Sequence, residues 1–373
     1  MTGKLLALRD EVVHFAEEHI ATRPDLSTAS EFPWDIWQAM GRAGLLGLGL
    51  PEEYSGRGGG YLAVAVAGET LVRSGGSMGL ALSVVMHHVV SQFLILGFGS
   101  SRQRREYLPA MAAGRMTGCL ALSEPETGAH PRHIKTTAVR EGDFYRLDGE
   151  KTYLTNGPIA DVFVVIAVTG VEGDRKRLTT FLVPKDTPGL AQTKPMRLDF
   201  LRPSPHGGIK LDSVKVPGAN ILGQEGQAFE TIGKPFREVE DALLMGPLAG
   251  GAARQLELVA SLINQQGIRP TDELKAGLGN LQAVIHTLRV MAYEASQMLD
   301  DPFSHPEFQS LLLLGRDFSQ RFQSELEALI ASSGIKLTSE LSSLTKDLTL
   351  SGGLAKNVAL IKQMNMGQAL LKG

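Results

Sequence analysis

Apolar residues in the first 118 positions recur at the spacing of α-helices. A first amphipathic helix is predicted from apolar residues that alternate with charged ones: Leu5, Leu8, Val12, Phe15 and Ala16. A second helix is predicted to start at residues 31–34, where Pro33 suits a first turn, and to end near residues 44–47. Residues 51–60 are rich in glycine and predict a loop, and residues 61–98 are rich in Ala, Val and Leu, which predicts a buried helical pair.

The pattern changes at about residue 119. Short β-branched or alternating runs, separated by Gly, Asp and Pro, predict a small antiparallel β domain: residues 136–139, 144–148, 162–168, 179–183 and 209–216. Long helical patterns return after Gly226, as in residues 281–298 and 308–333. The sequence therefore predicts three domains, residues 1–118, 119–225 and 226–373.

Composition narrows the class of protein. A chain of 373 residues with 43% hydrophobic and 21% charged residues is ordinary for a globular protein. The net charge of −3 gives no basic surface for nucleic acid. Cys119 is the only cysteine, so no intrachain disulfide can form, and we expect a reducing, cytoplasmic location. No apolar run reaches the roughly 20 residues of a membrane span, and charged residues 9–11 interrupt any leader.

Two motifs carry the chemical information. Ser123-Glu124-Pro125 is followed by a loop with Gly128, and residues 149–156 read Gly-Glu-Lys-Thr-Tyr-Leu-Thr-Asn before an apolar run. This segment resembles the flavin-binding middle domain of acyl-CoA dehydrogenases, and residues 41–51, 97–109 and 211–223 resemble other parts of the same family. The resemblance implies an α+β multidomain protein with an N-terminal helical domain, a middle β-barrel and a C-terminal four-helix bundle. It also implies a homodimer or tetramer formed through the C-terminal helices.

The resemblance implies an FAD cofactor and residues that contact it. Leu122 and Ser123 are candidate cofactor-binding residues, and Ser123 matches a family hydroxyl that binds the flavin ring. Tyr153 and Thr155 match an aromatic-Ile-Thr triplet that shields the ring and bonds near its N5 atom. The alternative, that these are inherited barrel residues without a ligand, remains open at this stage. Ala129 stands where the family has a serine that helps to position the acyl-CoA.

The catalytic base of the family is a glutamate, and neither of its usual positions holds one here. Counting without gaps places Ala355 at the C-terminal position and Val239 at the alternative position on the first C-terminal helix. Glu240 falls on a family arginine position near the active site, so it is the candidate substitute base. The alternative is that Glu240 has no catalytic role and is an ordinary solvated or ion-paired residue of the helix.

Contacts to the distal part of FAD are also changed. The family grips the diphosphate with Arg-x-x-Phe, whose positions match Gln265 and Ile268. A family glutamine falls on Ala276, and the adenine-side motif becomes Leu329, Ser332 and Ser333. Losing an arginine from a diphosphate removes a charge-assisted contact, so FAD binding is expected to be weakened or lost.

Three hypotheses follow for the function. The chain is a divergent flavoenzyme that dehydrogenates an acyl-CoA thioester, a non-catalytic subunit of a heteromer with a complete homologue, or a binding protein for acyl-CoA or an acyl carrier. No metal site is predicted, because His130 and His133 have no third ligand nearby in sequence and His87 and His88 are predicted to point to different faces of a helix.

Overall fold

The computed structural model describes residues 2–126, 128, 130–301, 305–353 and 356–371. By its contacts the chain divides into two compact units. One comprises Met1–Thr28, Tyr61–Ala81 and Asp241–Gly373, and the other comprises Ala29–Gly60 and Leu82–Glu240. The predicted domain boundaries at residues 118/119 and 225/226 stay predictions.

The N-terminal region is helical, which confirms the predicted first helix, second helix and helical pair. Its helices are α1 Gly3–His19, α2 Trp34–Arg42, α3 Gly60–Gly75, α4 Met78–His88, which continues as a π-helical stretch Val89–Leu96, and α5 Ser101–Ala112. A capping box begins α5, because Ser100 accepts from the backbone of Gln103 and the Gln103 side chain accepts from the backbone of Ser100. By length and composition, one helical stretch of the described chain, Met78–Leu96, could cross a membrane, and 89% of it is buried inside the fold, as in a core helix.

The middle region forms one eight-stranded sheet. Its strands are β1 Gly118–Ala121, β2 Thr137–Glu141, β3 Phe144–Thr155, β4 Val162–Glu172, β5 Arg175–Pro184, β6 Leu190–Gln192, β7 His206–Pro217 and β8 Ile221–Leu222. The order is β6-β7-β3-β2-β4-β5-β8, with β1 on β4. Alternating inward residues such as Phe163, Val165, Phe181 and Val183 form the core of this region.

The predicted antiparallel pairing holds for most of the sheet, but not for all of it. β1 pairs with β4 in parallel, Gly118 opposite Val162, and β2 meets β4 in parallel at one pair of residues. Parallel neighbours need a long crossover. The chain between β1 and β4 supplies that crossover, since it contains β2 and β3. The run of alternating residues could not reveal the pairing, because it carries no information about strand direction.

The described C-terminal residues form five helices: α6 Lys234–Gln265, α7 Asp272–Asp300, α8 Phe308–Ser333, α9 Ser339–Gly353 and α10 Lys356–Leu370. The apolar faces of α6 to α9 share one hydrophobic core, which includes Val259, Ile285, Phe322 and Leu341. The expected four-helix bundle is thus present and α10 follows it. The order of helical, sheet and helical regions confirms the predicted fold class.

Candidate flavin-binding site

Ser123 lies in the loop that follows β1, beside strand β3. The Ser123 carbonyl accepts a hydrogen bond from the Thr152 amide at 2.9 Å, which fixes the loop against the strand. Ser123 is half-buried, and its hydroxyl has no hydrogen-bonding partner among the residues that the structure describes. The neighbouring Leu122 is buried. Ser123 therefore offers a free hydroxyl at the position where the sequence predicts a flavin contact.

A buried ion pair underlies this loop. The Lys151 Nζ atom lies 2.9 Å from Glu124 Oε1 and 3.1 Å from the Leu122 carbonyl oxygen, and the Lys151 side chain is fully buried. Glu124 also accepts from the amides of Lys135 at 2.6 Å and Thr136 at 2.9 Å, and from the Thr136 hydroxyl. The pair thus joins residues 122–124, residues 135–136 and strand β3. It fixes the backbone on both sides of Ser123.

Burial and attraction act in opposite directions on the pair. Burial lowers the pKa of Lys151 to about 8, although Glu124 counteracts it, so Lys151 remains charged at neutral pH. Burial alone would raise the pKa of Glu124. The charge of Lys151 and the hydrogen bonds from Lys151, Thr136 and Lys135 outweigh burial and hold this pKa below its ordinary value.

Lys151 and Glu124 lie within the two sequence motifs, but no local pattern assigns a role to either residue. The predicted strand ended at residue 148, whereas β3 continues to Thr155 and places Lys151 at an inward position, in phase with Tyr145 and Leu147. A lysine at an inward strand position requires a buried partner. A longer predicted strand would therefore have indicated that Lys151 needs a buried partner, but not that the partner is Glu124.

Tyr153 is held in an unusual backbone conformation. The ladder between β3 and β7 shifts register between Lys151 and Leu154, and Tyr153 has a φ of 56° in the left-handed region. Such a conformation costs a bulky residue on the order of 1–3 kcal/mol, and residues of this kind cluster at binding sites. The side chain of Tyr153 is 62% exposed. The bulge therefore presents an aromatic ring to solvent where the sequence predicts a shield for the flavin.

Thr155 ends strand β3 and is hydrogen-bonded to a buried histidine. Its Oγ1 atom lies 3.1 Å from His206 Nε2, and His206 Nδ1 lies 3.1 Å from the carbonyl oxygen of Ser204. Burial lowers the pKa of His206, although the Ser204 carbonyl counteracts this effect. The sequence does not predict His206 as a site residue, since no local pattern relates it to a threonine 51 residues earlier.

This hydrogen-bonded chain extends to α4. The Ser83 and Ser204 hydroxyl oxygens are 3.1 Å apart, and Asn156 Nδ2 donates to the Ser83 carbonyl at 2.9 Å. Asn156 and Ser83 are fully buried. His206 is therefore linked to Thr155 on one side and, through Ser204 and Ser83, to Asn156 on the other.

The residues near the candidate base belong to helix α6. The Glu240 carboxylate lies 2.5 Å from Arg237 Nη1, one turn earlier, and its side chain is 15% exposed. Val239 is buried and apolar. Ala355 lies outside the described residues, as does Ala129. Glu240 is thus a mostly buried, ion-paired carboxylate.

The positions that resemble the distal FAD contacts hold uncharged side chains. Gln265 Nε2 donates to the Ser261 hydroxyl at 2.9 Å, and the Ser332 hydroxyl donates to the Leu329 carbonyl at 3.1 Å. Leu329 is buried in the C-terminal core, against which Ile268 packs. Ala276 is exposed and Ser333 half-buried. The side chains on the ring side fit a flavin, whereas these six positions supply no cation for a diphosphate.

The histidines and the cysteine that the sequence analysis considered for chemistry show no sign of a metal or catalytic site among the described residues. His130 and His133 are exposed, with ring centroids 4.8 Å apart, and His87 and His88 are fully buried. Across the described ranges, no three His, Cys, Asp or Glu residues are grouped so as to hold a metal ion. Cys119 is buried in the core of the sheet, and burial raises the pKa of its thiol. It therefore has the surroundings of a core residue.

Comparison with protein families gives two matches along the chain. Residues 2–115 match the N-terminal domain of acyl-CoA dehydrogenases, and residues 119–214 match the middle domain of the same family. These two matches cover more than half of the chain, including the Ser123 and Thr155 region.

Curated relatives show the same similarity. The chain is 34% identical over 256 residues to an L-prolyl-[peptidyl-carrier protein] dehydrogenase of Pseudomonas fluorescens, covering 68% of this chain and 66% of the relative. It is 30% identical over 299 residues to a 3-(aryl)acrylate reductase of Clostridium sporogenes, covering 77% of both chains. For the Pseudomonas protein, and for an acyl-CoA dehydrogenase of Bacillus subtilis, the chain spans about 60% to 66% of the relative's length.

A solved structure extends the similarity of fold to the whole chain. The butyryl-CoA dehydrogenase of Megasphaera elsdenii superposes with a TM-score of 0.86 at 22% identity, covering 100% of this chain and 99% of that one. At this identity the comparison concerns the fold alone.

Proposed function

Because the chain belongs to the acyl-CoA dehydrogenase family, we propose that it binds a flavin and dehydrogenates acyl-CoA thioesters weakly or not at all when it acts alone. The observation that carries this proposal is a difference between two sets of residues. Ser123, Tyr153 and Thr155 remain available to a ligand, whereas Val239 provides no carboxylate at a usual base position.

The flavin would be held by its ring side. Ser123 would donate its unpartnered hydroxyl to a ring acceptor, and the exposed ring of Tyr153 would cover one face. Thr155 would contact the ring near N5, as the resemblance implies. When bound, FAD supplies the acceptor for the β-hydride of the substrate. The Lys151–Glu124 pair would keep the Ser123 loop in place.

Proton removal is the step that this chain is least equipped to perform. Glu240 is the substitute base that we propose, but its carboxylate is engaged with Arg237. Proton abstraction would require this ion pair to open. A missing general base lowers the rate by about 10²–10⁴-fold, so we expect turnover to be slow even when flavin is bound.

The uncharged distal positions support a second candidate, a non-catalytic subunit that pairs with a complete homologue. A partner chain could supply the cation that Gln265 does not. The similarity to a dehydrogenase of carrier-bound prolyl groups supports a third candidate, in which the acyl group arrives on a carrier protein instead of on CoA.

We further propose a homodimer or tetramer, or the heteromer of the second candidate, in the cytoplasm. Helix α10 and the residue after it expose apolar side chains that a partner chain would cover: Leu360, Ile361, Met364, Leu370 and Leu371. Light scattering at micromolar concentration tests the assembly, and a monomeric mass would contradict it.

The decisive experiment is the visible spectrum of the protein purified alone, followed by anaerobic addition of acyl-CoAs. We expect less than one bound flavin per chain. We also expect acyl-CoA to cause little loss of the flavin absorbance within seconds. Glu240→Gln should abolish any residual bleaching, and Glu238→Gln, on the same helix, is the matched control that should leave it unchanged. Rapid bleaching that survives Glu240→Gln would show that the base lies elsewhere. If the protein alone shows no bleaching, and bleaching appears when a homologue encoded beside it is added, the non-catalytic subunit is favoured.

A further inference from the structure

We propose that His206 fixes the direction of the Thr155 hydrogen bond, so that Thr155 presents an acceptor oxygen to the flavin and favours its reduced form. This inference rests on the proposed flavin site and assigns a positioning residue to it.

The direction of the bond follows from the two partners of the imidazole. A carbonyl oxygen can only accept, so the 3.1 Å contact with Ser204 requires that His206 Nδ1 carries the hydrogen. In a neutral imidazole the other nitrogen, Nε2, is then a bare acceptor. Thr155 Oγ1, 3.1 Å away, must therefore donate its hydrogen to Nε2.

The surroundings keep His206 in this state. His206 is 8% exposed, and burial disfavours the imidazolium that would reverse the bond. The loop that carries Ser204 is held through Ser83, whose carbonyl accepts from the buried Asn156. The ring therefore keeps one orientation and one tautomer.

The consequence concerns the free side of the Thr155 oxygen. Thr155 is half-buried and its hydroxyl hydrogen is already engaged with His206, so a flavin beside it would meet only the lone pairs of the oxygen. The N5 atom of an oxidised flavin is an acceptor, whereas the same atom in a reduced flavin bears a hydrogen. A threonine that can only accept pairs with the reduced form and leaves the oxidised form without a donor.

The test compares the affinity of the protein for oxidised and for reduced FAD. His206→Leu releases the Thr155 hydroxyl, which then donates to oxidised flavin. We expect the ratio of the two affinities to move about tenfold toward the oxidised form, equivalent to a fall of about 30 mV in the two-electron potential. His206→Gln keeps an acceptor for Thr155 and should restore most of the wild-type ratio.

A second background separates this effect from a general loss of structure. In Thr155→Val the hydroxyl is gone, so adding His206→Leu should leave the affinity ratio unchanged. Thr155→Ser keeps the hydroxyl and should retain the response to His206→Leu. An equal response with and without the hydroxyl would overturn the proposal.

The proposal and the function on which it rests fail in different ways. Wild-type protein that binds no FAD would overturn both. Protein that binds FAD with the same affinity ratio in His206→Leu would overturn the role of His206 alone. Nitrogen NMR of the flavin-free protein gives an independent readout, in which a hydrogen on Nε2 of His206 in place of Nδ1 would also overturn it.

Discussion

The sheet region and the C-terminal helices differ at the positions that the resemblance assigns to flavin contacts. In the sheet, Ser123 and Thr155 are supported by buried polar groups, the Lys151–Glu124 pair and His206. In the C-terminal helices, Gln265 and Leu329 occupy the positions of a charged and a polar contact, and Leu329 belongs to the hydrophobic core. Contacts that depend on a buried polar network cannot change singly without loss of stability, whereas a contact made by one long surface side chain can.

Breaking the buried ion pair should have the largest effect. Lys151→Met leaves Glu124 as an uncompensated buried carboxylate, and we expect a loss of about 3–5 kcal/mol in the free energy of unfolding. Denaturant unfolding measures this loss. The matched control in the other region is Arg254→Met, which removes the exposed pair with Glu340 and should cost about 0–1 kcal/mol. Equal losses would remove the distinction between the regions.

Acid should weaken the sheet region through the same pair. The pKa of Glu124 is lower in the folded state than its ordinary value of 4.5, so the unfolded chain binds the proton more tightly. The contribution of Glu124 is therefore complete above pH 4.5 and is lost as the pH falls through the folded pKa. The double variant Glu124→Gln with Lys151→Met should lack this part of the pH dependence in thermal unfolding. An unchanged acid profile would contradict the assignment.

Restoring one charge should strengthen FAD binding. Gln265→Arg returns an arginine to the position that the resemblance assigns to the diphosphate, and a hydrogen bond to a charged group contributes about 1.5–3 kcal/mol. FAD affinity, measured by quenching of flavin fluorescence, should rise about tenfold to a hundredfold. Gln265→Met, which has no charge, is the control and should not improve binding. No gain in the arginine variant would mean that the diphosphate lies elsewhere.

Removing the Thr155 hydroxyl should have the smallest effect. Thr155→Val deletes the hydrogen bond that we propose with reduced flavin, and we expect the binding of reduced FAD to weaken by about 0.5–1.5 kcal/mol. An anaerobic titration with reduced FAD measures this loss. Thr231→Val is the control, because Thr231 is exposed and its hydroxyl donates to the nearby Gln227 carbonyl. If Thr155→Val abolished FAD binding altogether, Thr155 would have to support the fold in addition to contacting the flavin.

Much of the fold could be predicted from the sequence because periodicity is local. The runs at residues 162–168 and 179–183 lie inside β4 and β5, and the predicted helix at residues 308–333 matches α8. The motifs at Ser123 and at Tyr153 to Thr155 identified candidate ligand contacts only through their resemblance to a family. Their flavin-binding role stays a prediction.

The parts of the fold and of the candidate site that the sequence did not predict depend on contacts between residues that are distant in the chain. Glu124 meets Lys151 across 27 positions, and Thr155 meets His206 across 51. The left-handed conformation of Tyr153 arises from a bulge between β3 and β7, whose pairing no local pattern reveals. The sequence by itself determined the helical regions and the longer strands, because hydrophobic period is a property of neighbours. Only the tertiary structure decided which polar groups are buried together, and hence the direction of the hydrogen bond that Thr155 makes.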